Sequence, residues 1–252
     1  MAASGAGAYG PLCALFYDAD KPPAPADEVA WYAQRLPRDA GPVLEPMCGS
    51  GRLLVPLVAA GFNVHGVDTS PAMLAHCESR LAERGDGARV FRQDVAELNL
   101  PFRYAAAFIA AGSFQLVTDP ARARAALAHI RSHLVPPGRL IVDLFVPAES
   151  EQRIAAPLVE VRTVTLDDGT RIALRSETTM HPDARLARTA SRYVHRRGND
   201  LIGEENETMA LTWYAPDDIA ALARAAGYTD IAIGPSPRPA GDGTTFSLVA
   251  HA

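Results

Sequence analysis

Two glycines and a carboxylate lie close together in Val43 to Leu54, which reads V-L-E-P-M-C-G-S-G-R-L-L. Gly49 and Gly51 follow an apolar pair, Val43 and Leu44, and precede a helical pattern of Leu53, Leu54, Leu57 and Val58. Glycine serves where the backbone turns with φ > 0 or where a ligand lies against the main chain. The pattern reads as strand, tight loop and helix, and the helix start aims unpaired N–H groups at whatever sits on the loop. Side chains narrow the choice of ligand. A dinucleotide site needs G-x-G-x-x-G with an acid about 20 residues later. Here Gly51 is followed by Arg52, Leu53 and Leu54, so the third glycine is missing. A phosphate loop needs Gly-Lys-Ser/Thr, which is absent. Glu45 would repel a pyrophosphate and suits an ammonium group carried beside a ribose.

These residues resemble motif I of the class I S-adenosylmethionine-dependent methyltransferases, usually E/D-x-G-x-G-x-G. Two later stretches extend the resemblance in order. Val64 to Ser70, V-H-G-V-D-T-S, resembles the second strand, whose terminal acid binds the ribose hydroxyls. Phe91 to Val95, F-R-Q-D-V, resembles the end of the third strand, whose Asp binds the adenine amine. The resemblance covers roughly Val43 to Val146 and, more weakly, the C-terminal part; it departs at Met47, where glycine is usual. It implies S-adenosylmethionine as cofactor. It implies as cofactor-binding residues Tyr17, Glu45, Met47, Gly49, Gly51, Arg52, Asp68, Thr69, Met73, Gln93, Asp94, Val95, Ala111 and Ser113. Taken singly, Asp68 and Asp94 equally suit helix capping after a strand, and Met73 equally suits plain core.

Methyl transfer from a sulfonium is an in-line displacement with an activated leaving group, so alignment and exclusion of water dominate. A base is needed only where the nucleophile must lose a proton, as a hydroxyl does. No base is identified; the candidates are Tyr17, His181 and His195, while His65, His76, His129 and His133 read as structural or surface. By position, Phe114, Gln115, Tyr193, Trp213 and Tyr214 are the substrate candidates, an aromatic lining suited to a flat or amphipathic small molecule. Tyr193 and Trp213 equally suit packing of an added sheet, and Tyr17 an aromatic staple onto the core.

The 252 residues carry a formal net charge of −5, which gives no help to nucleic-acid binding. Lys21 is the single lysine, and the abundance of Ala, Gly, Pro and Arg suggests a GC-rich bacterial coding sequence. Arg122, Arg124, Arg196 and Arg197 therefore read as solvated arginines. Three scattered cysteines, Cys13, Cys48 and Cys77, lack disulfide or zinc spacing and point to a reducing cytoplasm. Cys48 reads as a small residue packed beneath the cofactor. Met1 to Gly10 reads as mobile coil rather than a signal peptide, and no apolar stretch approaches membrane-spanning length.

Short apolar strands alternate with amphipathic helices from Val43 to Phe145, which predicts a parallel, doubly wound α/β sheet. Glu45, Asp68, Asp94 and Ser113 all fall at or just after its strand ends, on the side where such sheets bind ligands. After Val146 the pattern turns to Thr-, Val- and Arg-rich segments with hairpin signals at Asp168-Gly169 and Gly198-Asn199. The expected fold is a Rossmann-like seven-stranded sheet with an inserted antiparallel β-meander. Its expected divisions are an N-terminal lid over 1–40, a cofactor-binding core over 41–146, the meander over 147–214, and a final helix and hairpin over 215–252. The meander either roofs the strand ends and shapes acceptor choice or serves dimerisation, so the chain is expected as monomer or homodimer.

The layout resembles small-molecule N- and O-methyltransferases of secondary metabolism, including those for amino sugars, which carry a similar inserted sheet. The expected partner is a small-molecule methyl acceptor, with no nucleic acid and no membrane. The alternatives are a nicotinamide-dependent reductase, disfavoured by the missing third glycine, and a non-enzymatic regulatory binder of S-adenosylmethionine. A nucleic-acid methyltransferase is disfavoured by Ala111-Gly112-Ser113-Phe114, where an Asn/Asp-Pro-Pro-aromatic motif would stand.

Overall fold

The computed structural model describes residues 9–82, 88–148, 156–238 and 244–252. The coil expected over Met1–Gly10 lies, apart from Tyr9 and Gly10, outside the described residues. So do the helix end expected near Gly85 and a polar segment over 149–153 that reads as helical. The chain opens with α1 (Pro11–Asp20) and α2 (Ala26–Ala33), followed by β1 (Val43–Pro46), α3 (Leu54–Ala59), β2 (Val64–Asp68) and α4 (Pro71–Ala82). Next come β3 (Arg89–Arg92), β4 (Tyr104–Ile109), α5 (Pro120–His133) and β5 (Leu134–Val146). Four strands, β6 (Leu158–Thr165), β7 (Arg171–His181), β8 (Leu186–Arg197) and β9 (Asp200–Thr212), precede α6 (Pro216–Ala225), β10 (Thr229–Gly234) and β11 (Thr244–His251).

The expected seven-stranded sheet is present, in the order β10-β11-β5-β4-β1-β2-β3. Strands β1 to β5 run parallel, and β11 is antiparallel to both β5 and β10. Successive strand side chains point to opposite faces, and both faces are covered. Leu44, Ala107, Ile109 and Val142 pack with α5 and α6, while Val43, Ala106, Phe108 and Ile141 pack with α2, α3 and α4. All six residues of β4 are therefore buried, as a central parallel strand requires.

Two local expectations shift. Helix α3, read from the sequence as running from Gly51, starts at Leu54, because Met47, Gly49 and Gly51 all take positive φ and hold the chain in a loop. Pro136, Pro137 and Gly138, expected as a turn, lie within β5. Tyr104 pairs with Leu134 and Ala106 with Arg139, so the prolines, which have no N–H, occupy a bulge that the ladder skips.

The meander forms a separate four-stranded antiparallel sheet, β6-β7-β8-β9. Ile172, Leu174 and Ser176 alternate with exposed Arg171 and Arg175 along β7, giving the sheet one apolar face. Cys13 and Phe16 of α1 pack on that face against Ile172, Leu174 and Tyr193. The Glu205 carboxylate on β9 accepts the N–H groups of Leu12 and Cys13, both at 3.0 Å, satisfying orphan donors at the start of α1 with the favourable sign of charge. The N-terminal segment is thus fastened to the small sheet. Among the described residues no helix is long and apolar enough to cross a membrane.

Candidate active site

A cavity of about 650 Å³ opens at the carboxyl ends of β1, β2 and β4. The loop after β1 forms its floor through Met47, Cys48 and Gly49. Met47 at φ 61° and Ala111 at φ 58°, both lining it, hold left-handed conformations without being glycine, each at a cost of roughly 1–3 kcal/mol. Met47 thus keeps the backbone conformation that glycine adopts freely at this place in the motif.

Glu45 is 4% exposed, and its Oε2 has no hydrogen-bond partner among the described residues. Burial pushes its carboxyl well above the usual carboxylate range, opposed by the Arg52 guanidinium. Glu45 lines the cavity, and a buried carboxylate oxygen without a partner is a place for a cation. Asp68 is held rigidly: Gly49 N–H donates to Oδ2 and Ser70 N–H to Oδ1, each at 2.9 Å. Burial raises its carboxyl, and those N–H bonds oppose the rise. Lone pairs remain on both oxygens for a diol. Asp94 Oδ1 accepts Ala96 N–H at 2.8 Å, so the residue does cap a short helical turn, and Oδ2 accepts from Arg122 Nη2 at 2.6 Å. Arg122 is exposed, as expected of a solvated arginine, and it also lines the cavity.

Of the cofactor candidates, Tyr17, Glu45, Met47, Gly49, Arg52, Asp68, Thr69, Met73, Gln93, Asp94, Val95, Ala111 and Ser113 all line this one cavity. Gln93 does so with its amide turned away, bonded to Asn99 N and O at 2.8 and 2.9 Å. Gly51 does not line it. A Cβ built there would lie 2.7 Å from Cys77 Sγ and 2.9 Å from Val55 Cγ2, so this glycine is required by helix packing rather than by a ligand.

The substrate candidates lie elsewhere. Phe114 is fully buried and stacks with Tyr214 at 6.0 Å, and Trp213 is buried. Tyr193 sits beneath α1 with its hydroxyl donating to Cys13 Sγ at 3.1 Å. Gln115 is a structural pin: its amide donates to Phe145 O and Thr212 O, and its oxygen accepts Phe145 N–H. None of the seven histidines is among the lining residues. His181 ends β7, and His195 bonds Thr170 Oγ1 at 2.7 Å near a hairpin end. Of the three base candidates only Tyr17 lines the cavity, and burial raises its pKa. An aromatic-lined pocket therefore gives way to one with two tyrosines, Tyr9 and Tyr17, in edge contact at 6.1 Å.

Sequence reasoning missed Tyr9 and the stretch Thr208-Met209-Ala210 of β9, which also line the cavity. Tyr9 belongs to the segment expected to be mobile, yet its N–H bonds the Glu207 carboxylate and its carbonyl accepts from Ser70 Oγ at 2.6 Å. Both partners are remote in sequence, so no local signal marked it. Gln115, by holding Thr212, helps place β9 over the strand ends.

The profile of a family described as a methyltransferase domain matches residues 43–138. No curated protein sequence matches the chain. Among solved structures, the sugar N-methyltransferase from Streptoalloteichus sp. ATCC 53650 is similar with a TM-score of 0.75 at 22% identity, over 100% of this chain and 98% of that one. An amino pentose methyltransferase of calicheamicin biosynthesis from Micromonospora echinaspora, solved with S-adenosylmethionine bound, is 26% identical, with a TM-score of 0.66 over 89% and 90%. A glycopeptide N-methyltransferase, also complexed with S-adenosylmethionine, is 25% identical, with a TM-score of 0.58 over 89% and 92%.

Proposed function

Because the chain is a class I S-adenosylmethionine-dependent methyltransferase, a methyltransferase-domain profile matching its residues 43–138, we propose that it methylates the amine nitrogen of a small molecule of the amino-sugar class. The lining chemistry carries the choice of nitrogen over oxygen. A hydroxyl acceptor must lose a proton to a base, and the cavity offers no histidine for that task. Three of its four carboxylates are otherwise engaged, Asp68 with backbone N–H groups, Asp94 with Arg122, and Asp119 as the cap of α5, and on this reading the fourth, Glu45, is taken by the ammonium of the cofactor. An amine bound in its neutral form attacks without such help. The 26% identical amino pentose enzyme and the 25% identical glycopeptide N-methyltransferase support this reading.

The residues present fit the cofactor. When bound, S-adenosylmethionine supplies a methyl group on a positively charged sulfur. Glu45 Oε2 receives the methionyl ammonium, Asp68 the ribose hydroxyls, and Asp94 with Arg122 borders the adenine end. Gly49 leaves the floor open, since a Cβ there meets no atom nearer than Met73 Sδ at 3.9 Å. Tyr9, Tyr17 and the β9 stretch close the site from above and exclude water. Replacing Asp68 by Ala is expected to weaken cofactor binding by about 1–3 kcal/mol through lost charge-assisted hydrogen bonds; calorimetry on a folded variant that shows unchanged affinity contradicts the assignment.

Labelled S-adenosylmethionine with amino sugars and their hydroxyl counterparts tests the acceptor class. Label is expected on the amines alone, and equal transfer to the hydroxyl series overturns the proposal. Met209→Ala, on the wall contributed by the small sheet, is expected to raise the acceptor KM by about tenfold or more, the effect of a lost methylene contact. The cofactor Kd should stay unchanged.

A further inference from the structure

Strand β6 forms one edge of the small sheet. It pairs with β7 along all eight of its residues, from Leu158 with Thr178 to Thr165 with Arg171, without a register shift. Among the described residues no strand lies on its other side. A free edge of this length offers a row of backbone N–H and C=O groups to any strand that meets it. Proteins blunt such edges with proline, bulges or charge. β6 reads L-V-E-V-R-T-V-T, with no proline and no bulge against β7. Val161 is 67% exposed and Val159 55%, the highest values among the exposed large apolar side chains. Arg162 reaches Asp20 of α1 at 2.6 Å, so the two valines, at alternate positions, stand on the opposite, outer face.

Charge is the remaining protection, and β6 carries one residue of each sign, Glu160 and Arg162, both partly open to solvent. Their order repels some strands and suits one. Two copies of β6 that meet antiparallel about a two-fold axis keep each residue on its own face, so the axis passes through a residue and its own copy. An axis through Glu160 or Arg162 sets like charges opposite each other, which is destabilising. An axis through Val159 sets Glu160 against Leu158, one through Thr163 sets Arg162 against Val164, and either shortens the ladder. An axis through Val161 pairs Val161 with itself, Val159 with Thr163, Leu158 with Val164, and Glu160 with Arg162 on both sides of the centre. Of these registers it alone opposes unlike charges.

We propose that β6 is a self-association edge, where two copies of this chain join antiparallel about Val161 into one continuous eight-stranded sheet. The partner is a second copy because the charge order of the strand is its own complement. Contact along a single strand is a small interface, so the pair exchanges, with a Kd in about the micromolar range. No residue of β6 lines the cavity, so the pairing holds whatever acceptor the enzyme takes.

Sedimentation velocity on the full chain from about 1 to about 100 µM tests this. The parent is expected to pass from one chain to two across that range. Val161→Lys, at a position open to solvent in the single chain, sets two ammonium groups across the axis and should remain one chain throughout, with its melting temperature kept. Glu160→Arg and Arg162→Glu, each alone, set like charges opposite and should also lose the pair. Mixed in equal amounts, the two charge variants oppose unlike charges again and should form a heterodimer. Loss in each variant with recovery on mixing is what the register about Val161 requires. Arg162→Glu gives up the contact with Asp20, so a melt checks its fold first; if it does not fold, Val161→Lys and Glu160→Arg carry the test. A parent that stays one chain at about 100 µM, a dimer that survives Val161→Lys, or folded charge variants that fail to pair when mixed overturns the proposal.

Discussion

Alanine at Gly49 is expected to weaken S-adenosylmethionine binding by about tenfold to a hundredfold, as overpacking of a closed site does, while the chain still folds. The neighbouring glycine, given the same substitution, is expected to damage the fold instead. Both residues have positive φ, 54° at Gly49 and 80° at Gly51, so each alanine carries roughly 1–2 kcal/mol of backbone cost. The surroundings then separate them. At Gly49 the new methyl group meets no protein atom closer than 3.9 Å and takes space from the ligand. At Gly51 it would stand 2.7 Å from Cys77 Sγ and 2.9 Å from Val55 Cγ2, adding about 1–3 kcal/mol of overpacking. Thermal melts and cofactor calorimetry on both variants check this. The Gly51→Ala loss should shrink when Cys77→Ala is added, because the nearest clashing atom is then gone. Equal melting temperatures for the two single variants, or parental affinity in Gly49→Ala, would falsify this division of roles.

Glu45→Gln is expected to stabilise the ligand-free protein and to weaken cofactor binding by about 1–3 kcal/mol. The sign follows from linkage. Burial holds the folded-state pKa of Glu45 well above its ordinary value, so the native state keeps a proton that the unfolded chain releases from about pH 4.3 upward. The contribution of Glu45 to stability is full below that pH and is lost as pH rises through the folded value. Glutamine, neutral throughout, does not suffer that loss. Each kcal/mol recovered at neutral pH corresponds to a melting shift of about 2–4 °C for a chain of this size. Binding runs the other way. On the proposed reading the ionised carboxylate holds the methionyl ammonium, so parental affinity should rise with pH across the same window, and the Gln variant should lose that rise. Titrations from about pH 5 to about pH 9 decide it; a flat parental profile, or parental affinity in the variant, would contradict the role given to Glu45.

Strand-end acids and glycines are local features, and the sequence alone placed them. Val43–Glu45, Val64–Asp68 and Tyr104–Ile109 are apolar runs that only a doubly covered sheet can bury. A parallel sheet then brings their ends together, so Glu45, Asp68 and Ala111 had to meet whatever the details of packing. The break after Val146 and the hairpin signals likewise marked a second, antiparallel sheet before its shape was known. What alternation could not reveal was which face and edge of that sheet turn toward the cavity, since Tyr193 and Met209 sit in equally plausible strands. Tertiary packing decided it. The apolar face is claimed by α1, which buries Tyr193 away from the cavity. Gln115 bonds to Phe145 and Thr212, across 30 and 97 residues of chain, and these contacts bring Thr208-Met209-Ala210 of β9 to the site. The pairing of Arg52 with Glu28 spans 24 residues, and that of Ser70 with Tyr9 spans 61. The chain by itself determined the parallel core and the acids at its strand ends, because those follow from hydrophobic periodicity. Only the three-dimensional structure determined which residues close the cavity, because those contacts join segments whose separation in sequence carries no periodic signal.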